Sequence, residues 1–119
     1  MKLAAVVIHS GDEGTVGFEV RDPDGRALAT SAPFASICRL EAALATLAGA
    51  AAQEWKVATL PTCSVVSVGR RKVQLREPLA QAEVAAVIHA AAVARIEDRR
   101  PANRRRQDLS GLRCDLSDG

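Results

Sequence analysis

Five side chains in this sequence have types suited to metal binding or nucleophilic chemistry: Cys38, Cys63, Cys114, His9 and His89. A structural zinc site draws its ligands in close pairs, so that one turn holds two of them. The smallest gap within this set is 25 residues, from 38 to 63 and again from 89 to 114. Only folding could gather Cys38, Cys63 and His89. Cys38 and Cys63 therefore read as small buried hydrophobes, and no metal or other cofactor is expected. Nucleophilic catalysis needs a base and an orienting group beside the nucleophile. No Gly-x-Ser-x-Gly elbow occurs, Thr62-Cys63-Ser64 opens an apolar run, and His89 lies among alanines as a packing or interface histidine. Glu13, Glu19, Asp22 and Asp24 cluster around turn sequences, where acids serve turn formation and solubility. Gly11-Asp12-Glu13-Gly14 lacks the Gly-Lys-Ser/Thr ending of a phosphate loop, and its acids would repel phosphate. These residues argue for a chain that is not an enzyme.

The basic residues carry the sharpest signal. Thirteen Arg stand against three Lys, and six of the Arg fall between Arg95 and Arg106. Arg70, Arg71, Lys72 and Arg76 share one predicted hairpin, while Arg95, Arg99, Arg100, Arg104, Arg105 and Arg106 form a second group. Arginine near a helix C-terminus complements the dipole, so part of the second group needs no partner. Arg104–Arg106 come after the helix should have stopped and suit phosphates or an acidic protein surface. Against nucleic acid stand the net charge of only +2, the shortage of aromatic rings for stacking and the lack of a helix-turn-helix signature. Three readings stay open: nucleic acid, an acidic protein partner, or arginines that are solvated or paired within the chain.

The element expected to position much of this is the stretch from Leu79 to Arg100. It holds Ala, Leu, Val, Ile, Glu, Gln and Arg, with no Gly or Pro, and predicts one long helix between Pro78 and Pro101. Val84, Val87, Ile88, Ala91 and Arg95 fall on one face; Ala85, His89, Ala92, Val93 and Ile96 fall on a second that is also mostly apolar. A helix apolar on two sides wants cover on both. The second face is thus the candidate surface for self-association as a homo-oligomer, most simply a dimer, or for docking onto a larger complex.

Leu3 to His9 reads as a strand buried on both faces. Val16 to Arg21 alternates Val16, Phe18 and Val20 with polar or small residues, and Asp22-Pro23-Asp24-Gly25 turns the chain into a strand at Arg26 to Thr30. The first thirty residues therefore predict a three-stranded meander. Ser36 caps a helix whose stripe runs Ile37, Leu40, Leu44, Leu47 or Ala48, Ala51 and Trp55, with Arg39 and Thr46 facing away. Lys56 to Leu60 is strand-like, and Cys63–Val68 and Lys72–Arg76 flank Gly69-Arg70-Arg71 as a second hairpin. The fold class is α+β: an antiparallel sheet of about five or six strands with two helices on one face. Its order admits a duplicated ββ(β)α unit, with halves near 3–53 and 56–98. Residues 1–100 form a single domain, and 101–119 a polar, Arg-containing C-terminal tail.

The segment FEVRDPDGRALATSAPFAS, followed by LEAAL, resembles the small bacterial YegP-like (DUF1508) family. The residues that match are Phe18, Glu19, Val20, Asp24, Gly25, Leu28, Ala29, Ser31, Phe34, Ser36 and the helix from Leu40. The match covers a quarter to a third of the chain, and the second half departs from it, with no Asp-Gly turn and no Ser after its second strand. The resemblance implies a ββ(β)α fold and association of repeats or chains, and adds nothing about catalysis.

Composition is consistent with this. The chain is 48% hydrophobic, but much of that is Ala, and its aromatic residues are Phe18, Phe34 and Trp55. Such a core has little apolar area per residue to set against chain entropy, which favours help from a partner chain. Lys2 and the apolar run to Ile8 are too short for a signal peptide, no span is long enough for a membrane, and three widely spaced cysteines suit a reducing compartment. The cytoplasm is expected, and the Ala- and Arg-rich usage fits a bacterial or phage gene. The expected function is a non-catalytic protein-binding module. The alternative is a nucleic-acid-linked accessory protein, or a phage- or mobile-element-encoded regulator or inhibitor, using the Arg clusters.

Overall fold

The computed structural model describes residues 3–101. Strands β1 (Ala5–Ser10), β2 (Val16–Arg21) and β3 (Ala27–Thr30) precede helix α1 (Ile37–Gly49); β4 (Trp55–Thr59), β5 (Ser64–Val68) and β6 (Arg71–Leu75) precede helix α2 (Gln81–Val93); β7 (Arg95–Asp98) follows. The α+β class and the opening meander are as the sequence predicts.

Local chemistry explains most of these boundaries. Asp22 Oδ1 accepts hydrogen bonds from the backbone N–H groups of Asp24 and Arg26, both at 2.9 Å, and Gly25 takes the left-handed φ of +89° that the turn requires. Gly69, at φ +61°, starts the tight turn between β5 and β6. Ser36 caps α1 by accepting from Arg39 N–H at 3.3 Å. Gly17 leaves room for the His9 ring, since a Cβ there would lie 2.9 Å from His9 Cε1.

The strands form two sheets rather than one, ordered β3-β2-β1-β7 and β4-β5-β6. They meet between β3 and β6, where Arg76 N–H donates to Thr30 O at 2.8 Å and Ala32 N–H donates to Gln74 O at 3.0 Å. Glu77 Oε1 accepts from Thr30 N–H across the same seam. The inner faces carry Val6, Ile8, Phe18 and Val20 from the first sheet and Val66, Val68, Val73 and Leu75 from the second. Both helices pack over this surface and against each other, adding Ile37, Leu40, Leu47, Val84, Val87, Ile88 and Ala91 to a single core.

The long helix expected from Leu79 to Arg100 is shorter. It starts at Gln81 and ends at Val93, and Arg95–Asp98 is extended. Arg95 N–H donates to Ala4 O at 3.0 Å and Arg99 N–H to Ile8 O at 2.8 Å, so this segment adds a parallel strand to β1. Its residues favour a helix only weakly over a strand, and a row of β1 carbonyls outweighs that preference. Arg95 and Ile96 are therefore strand residues and belong to neither helical face. Trp55, expected at the end of the α1 stripe, likewise opens β4.

Candidate functional site

Among the clefts that border the described residues, two adjoin along α1. One, of about 460 Å3, is lined by Phe34, Arg39, Ala42, Ala43, Thr46, Arg71 and Lys72. The other, of about 450 Å3, continues past Ala42, Thr46 and Arg71 to Gly49, Gln53, Val68 and Arg70. Arg39, Ala42, Ala43 and Thr46 recur at i, i+3, i+4 and i+7, so they form one face of the helix, opposite its buried stripe of Ile37, Leu40 and Leu47. The facing wall is the β5–β6 hairpin. Arg71 follows the register of Val73 and Leu75, which puts it on the helix side of its sheet at the exposed end of β6.

The structure thus gathers Arg70, Arg71 and Lys72 as the sequence predicts, and adds Arg39 and Phe34 from elements that are distant along the chain. Among the described residues no salt bridge engages any of these four cations, and no carboxylate lines either of the two adjoining clefts. Phe34 stacks on the buried Phe18 ring, with centroids 6.1 Å apart and planes 11° from parallel, while its own ring borders the cleft. The available signal for Arg39 was that it sits opposite the apolar stripe with Thr46. Phe34 had only its turn sequence, which does not say what it would meet.

The second basic group does not join the first. Arg95 is exposed at the start of β7. Arg99 pairs with Glu97 at 2.9 Å, and the buried Arg100 pairs with Asp98 at 2.7 Å, with Arg100 Nε adding a bond to the same carboxylate at 3.0 Å. Arg76 is exposed just beyond β6 and lines neither cleft. Arg104, Arg105 and Arg106 lie outside the described residues.

Along α2, Val84, Val87, Ile88 and Ala91 are buried, Ala85 is half-buried, and His89 and Ala92 are exposed. Val93 is 67% exposed and Ile96, on β7, 57% exposed. The two large side chains lie where α2 hands over to β7, which is the edge strand of the four-stranded sheet among the described residues. Cys63 is a half-buried free thiol at the foot of β5, and among the described residues no three His, Cys, Asp or Glu gather as a metal site would require. No described helix is long and apolar enough to cross a membrane.

No family model matches the chain, and no curated protein does. Solved structures do. The solution NMR structure of yegP from E. coli, a protein of unknown function, matches with a TM-score of 0.64 at 13% identity, covering 87% of this chain and 98% of that one. The UPF0339 protein SO3888 from Shewanella oneidensis matches with a TM-score of 0.67 at 7% identity, covering 82% and 92% respectively. The resemblance carried by Phe18 to Leu44 therefore extends, as architecture, over most of the described residues: this chain has the fold of the YegP-like proteins.

Proposed function

We propose that this chain is a non-catalytic binding module that acts as a homodimer, joined edge to edge through β7 with the end of α2 beside it. The observation that supports this reading most is the exposure of Val93, at the end of α2, and of Ile96 on β7, a strand that has a neighbour on one side only among the described residues. A bare edge is a template for another strand, and two large apolar side chains beside it favour cover.

The sequence of β7 suits pairing with its own copy. Arg95 and Arg99 turn their N–H groups toward β1, so alternation turns the N–H and C=O of Ile96 outward. In an antiparallel pair centred on Ile96, that residue meets its own copy and exchanges both backbone bonds. Arg95 of one chain then faces Glu97 of the other, which places opposite charges together across the strands. Ile96 is in register with the core residue Val6, so its side chain sits on the helix side of the sheet. The contact is isologous, and a twofold closes it.

Light scattering on purified protein tests the dimer. A mass of two chains at micromolar concentration, falling to one chain in Ile96→Lys with an unchanged far-UV circular dichroism spectrum, is the expected result. A wild-type monomer at high micromolar concentration, or an Ile96→Lys variant that stays dimeric, would sink the proposal.

A further inference from the structure

We infer that the groove between α1 and the β5–β6 hairpin binds single-stranded nucleic acid, with the cations on phosphates and Phe34 under a base. Arg39, Arg70, Arg71 and Lys72 come from two elements onto one groove, and among the described residues neither of its cavities has a carboxylate in its lining. Arginines at or near the surface of a folded domain commonly find an acidic neighbour, as Arg21 and Arg99 do here. Among the described residues these four do not, so a polyanion would meet no carboxylate there already paired with them. The guanidinium groups are suited to bidentate contact with phosphate oxygens.

Phosphate binding alone would not select nucleic acid. Phe34 adds the second half of the recognition: a half-buried ring, backed by Phe18, at the cationic end of the groove. Backing by a buried ring holds it in place, and a base stacks on such a platform whatever its sequence. An acidic peptide would use the cations and leave the ring idle. Groove length favours a strand over a lone nucleotide. The wall of α1 from Arg39 to Gly49 rises about 15 Å, and the two cavities adjoin along it, sharing Ala42, Thr46 and Arg71. A duplex is disfavoured because its bases are already stacked on each other. This site lies on the hairpin side of α1 and does not use β7, so it is independent of the dimer.

Fluorescence polarisation with a labelled single-stranded oligothymidylate at low salt tests the assignment. Binding should weaken with salt with a log–log slope of about −2 to −3, at about −0.7 per neutralised phosphate. The double variant Arg39→Ala/Arg71→Ala, at two exposed positions, should lose about tenfold or more in affinity, while Arg26→Ala, on the distant β2–β3 turn, should match the wild type. Phe34→Leu should lose about fivefold or more toward the oligonucleotide and leave binding of inorganic polyphosphate unchanged. A second readout uses the unaltered chain: a strand carrying bromodeoxyuridine should photocrosslink to Phe34, as located by mass spectrometry. No binding at low salt, an Arg26→Ala loss equal to that of the double variant, or a crosslink away from the groove would overturn the proposal. So would a mononucleotide or a duplex that binds as tightly as the single strand, or a Phe34→Leu effect as large on polyphosphate.

Discussion

Ser64 sits fully buried at the start of β5, where its hydroxyl donates to the Glu77 carbonyl and accepts from Leu79 N–H, both at 2.6 Å. It fastens the link between β6 and α2 to the second sheet, helped by Thr59 Oγ1 donating to Leu79 O. In the sequence Ser64 is only one polar residue in an alternating run. Ser64→Ala leaves the Leu79 N–H buried without a partner, so a loss of about 1–3 kcal/mol is expected in urea unfolding. Ser31 plays the matching part in the first sheet, accepting from Phe18 N–H at 3.0 Å. Among apolar residues, Leu40 is fully buried between the helices and the sheets. Leu40→Ala should cost about 2–5 kcal/mol, checked by the same denaturant midpoint, because the Ala-rich surroundings have few long side chains to fill the gap.

The two helices differ in how they begin. α1 has a serine cap, whereas α2 starts at Ala80, whose backbone N–H is met by Glu83 Oε1 at 2.9 Å but whose side chain can accept nothing. Ala80 already has the extended φ and ψ of a capping residue, −77° and 165°. Ala80→Ser should therefore stabilise the protein by about 1 kcal/mol, which raises the melting temperature by about 4–8 °C in a domain of this size. Ser36→Ala should lower stability by about 1 kcal/mol through the converse loss. Calorimetry on the pair measures both. If α2 gained nothing from the serine, the Glu83 carboxylate alone would suffice as its cap.

For the whole molecule, β7 is the piece that brings the last described strand onto the first, by parallel pairing with β1. Amide exchange should show the Arg95 and Arg99 N–H groups protected with the β1 core, because both are bonded to β1 carbonyls or the residue before it. The Ile96 and Asp98 N–H groups face the open edge. In a dimer paired about Ile96 its amide becomes protected at high protein concentration, and in a dissociated chain it exchanges fast. Measuring both pairs at two concentrations separates folding of β7 from its use as an interface.

Turn chemistry and apolar spacing, both local, determined the meander, the Ser36 cap, the second hairpin and the core stripes of both helices. Asp22 and Gly25 need no distant neighbour to act, and alternation of Val16, Phe18 and Val20 reports a buried face wherever that face ends up. The end of α2 was hidden because no Gly or Pro separates Val93 from Arg95; what stops the helix is a set of carbonyls on β1, about ninety residues earlier in the chain. The groove was half legible, since Arg70, Arg71 and Lys72 are adjacent in sequence, but their meeting with Arg39 and Phe34 depends on how α1 lies against β6. Spacing along a chain carries the periodicity of one element and says nothing of which faces meet. That choice is made by packing, where contacts are set by distance in space.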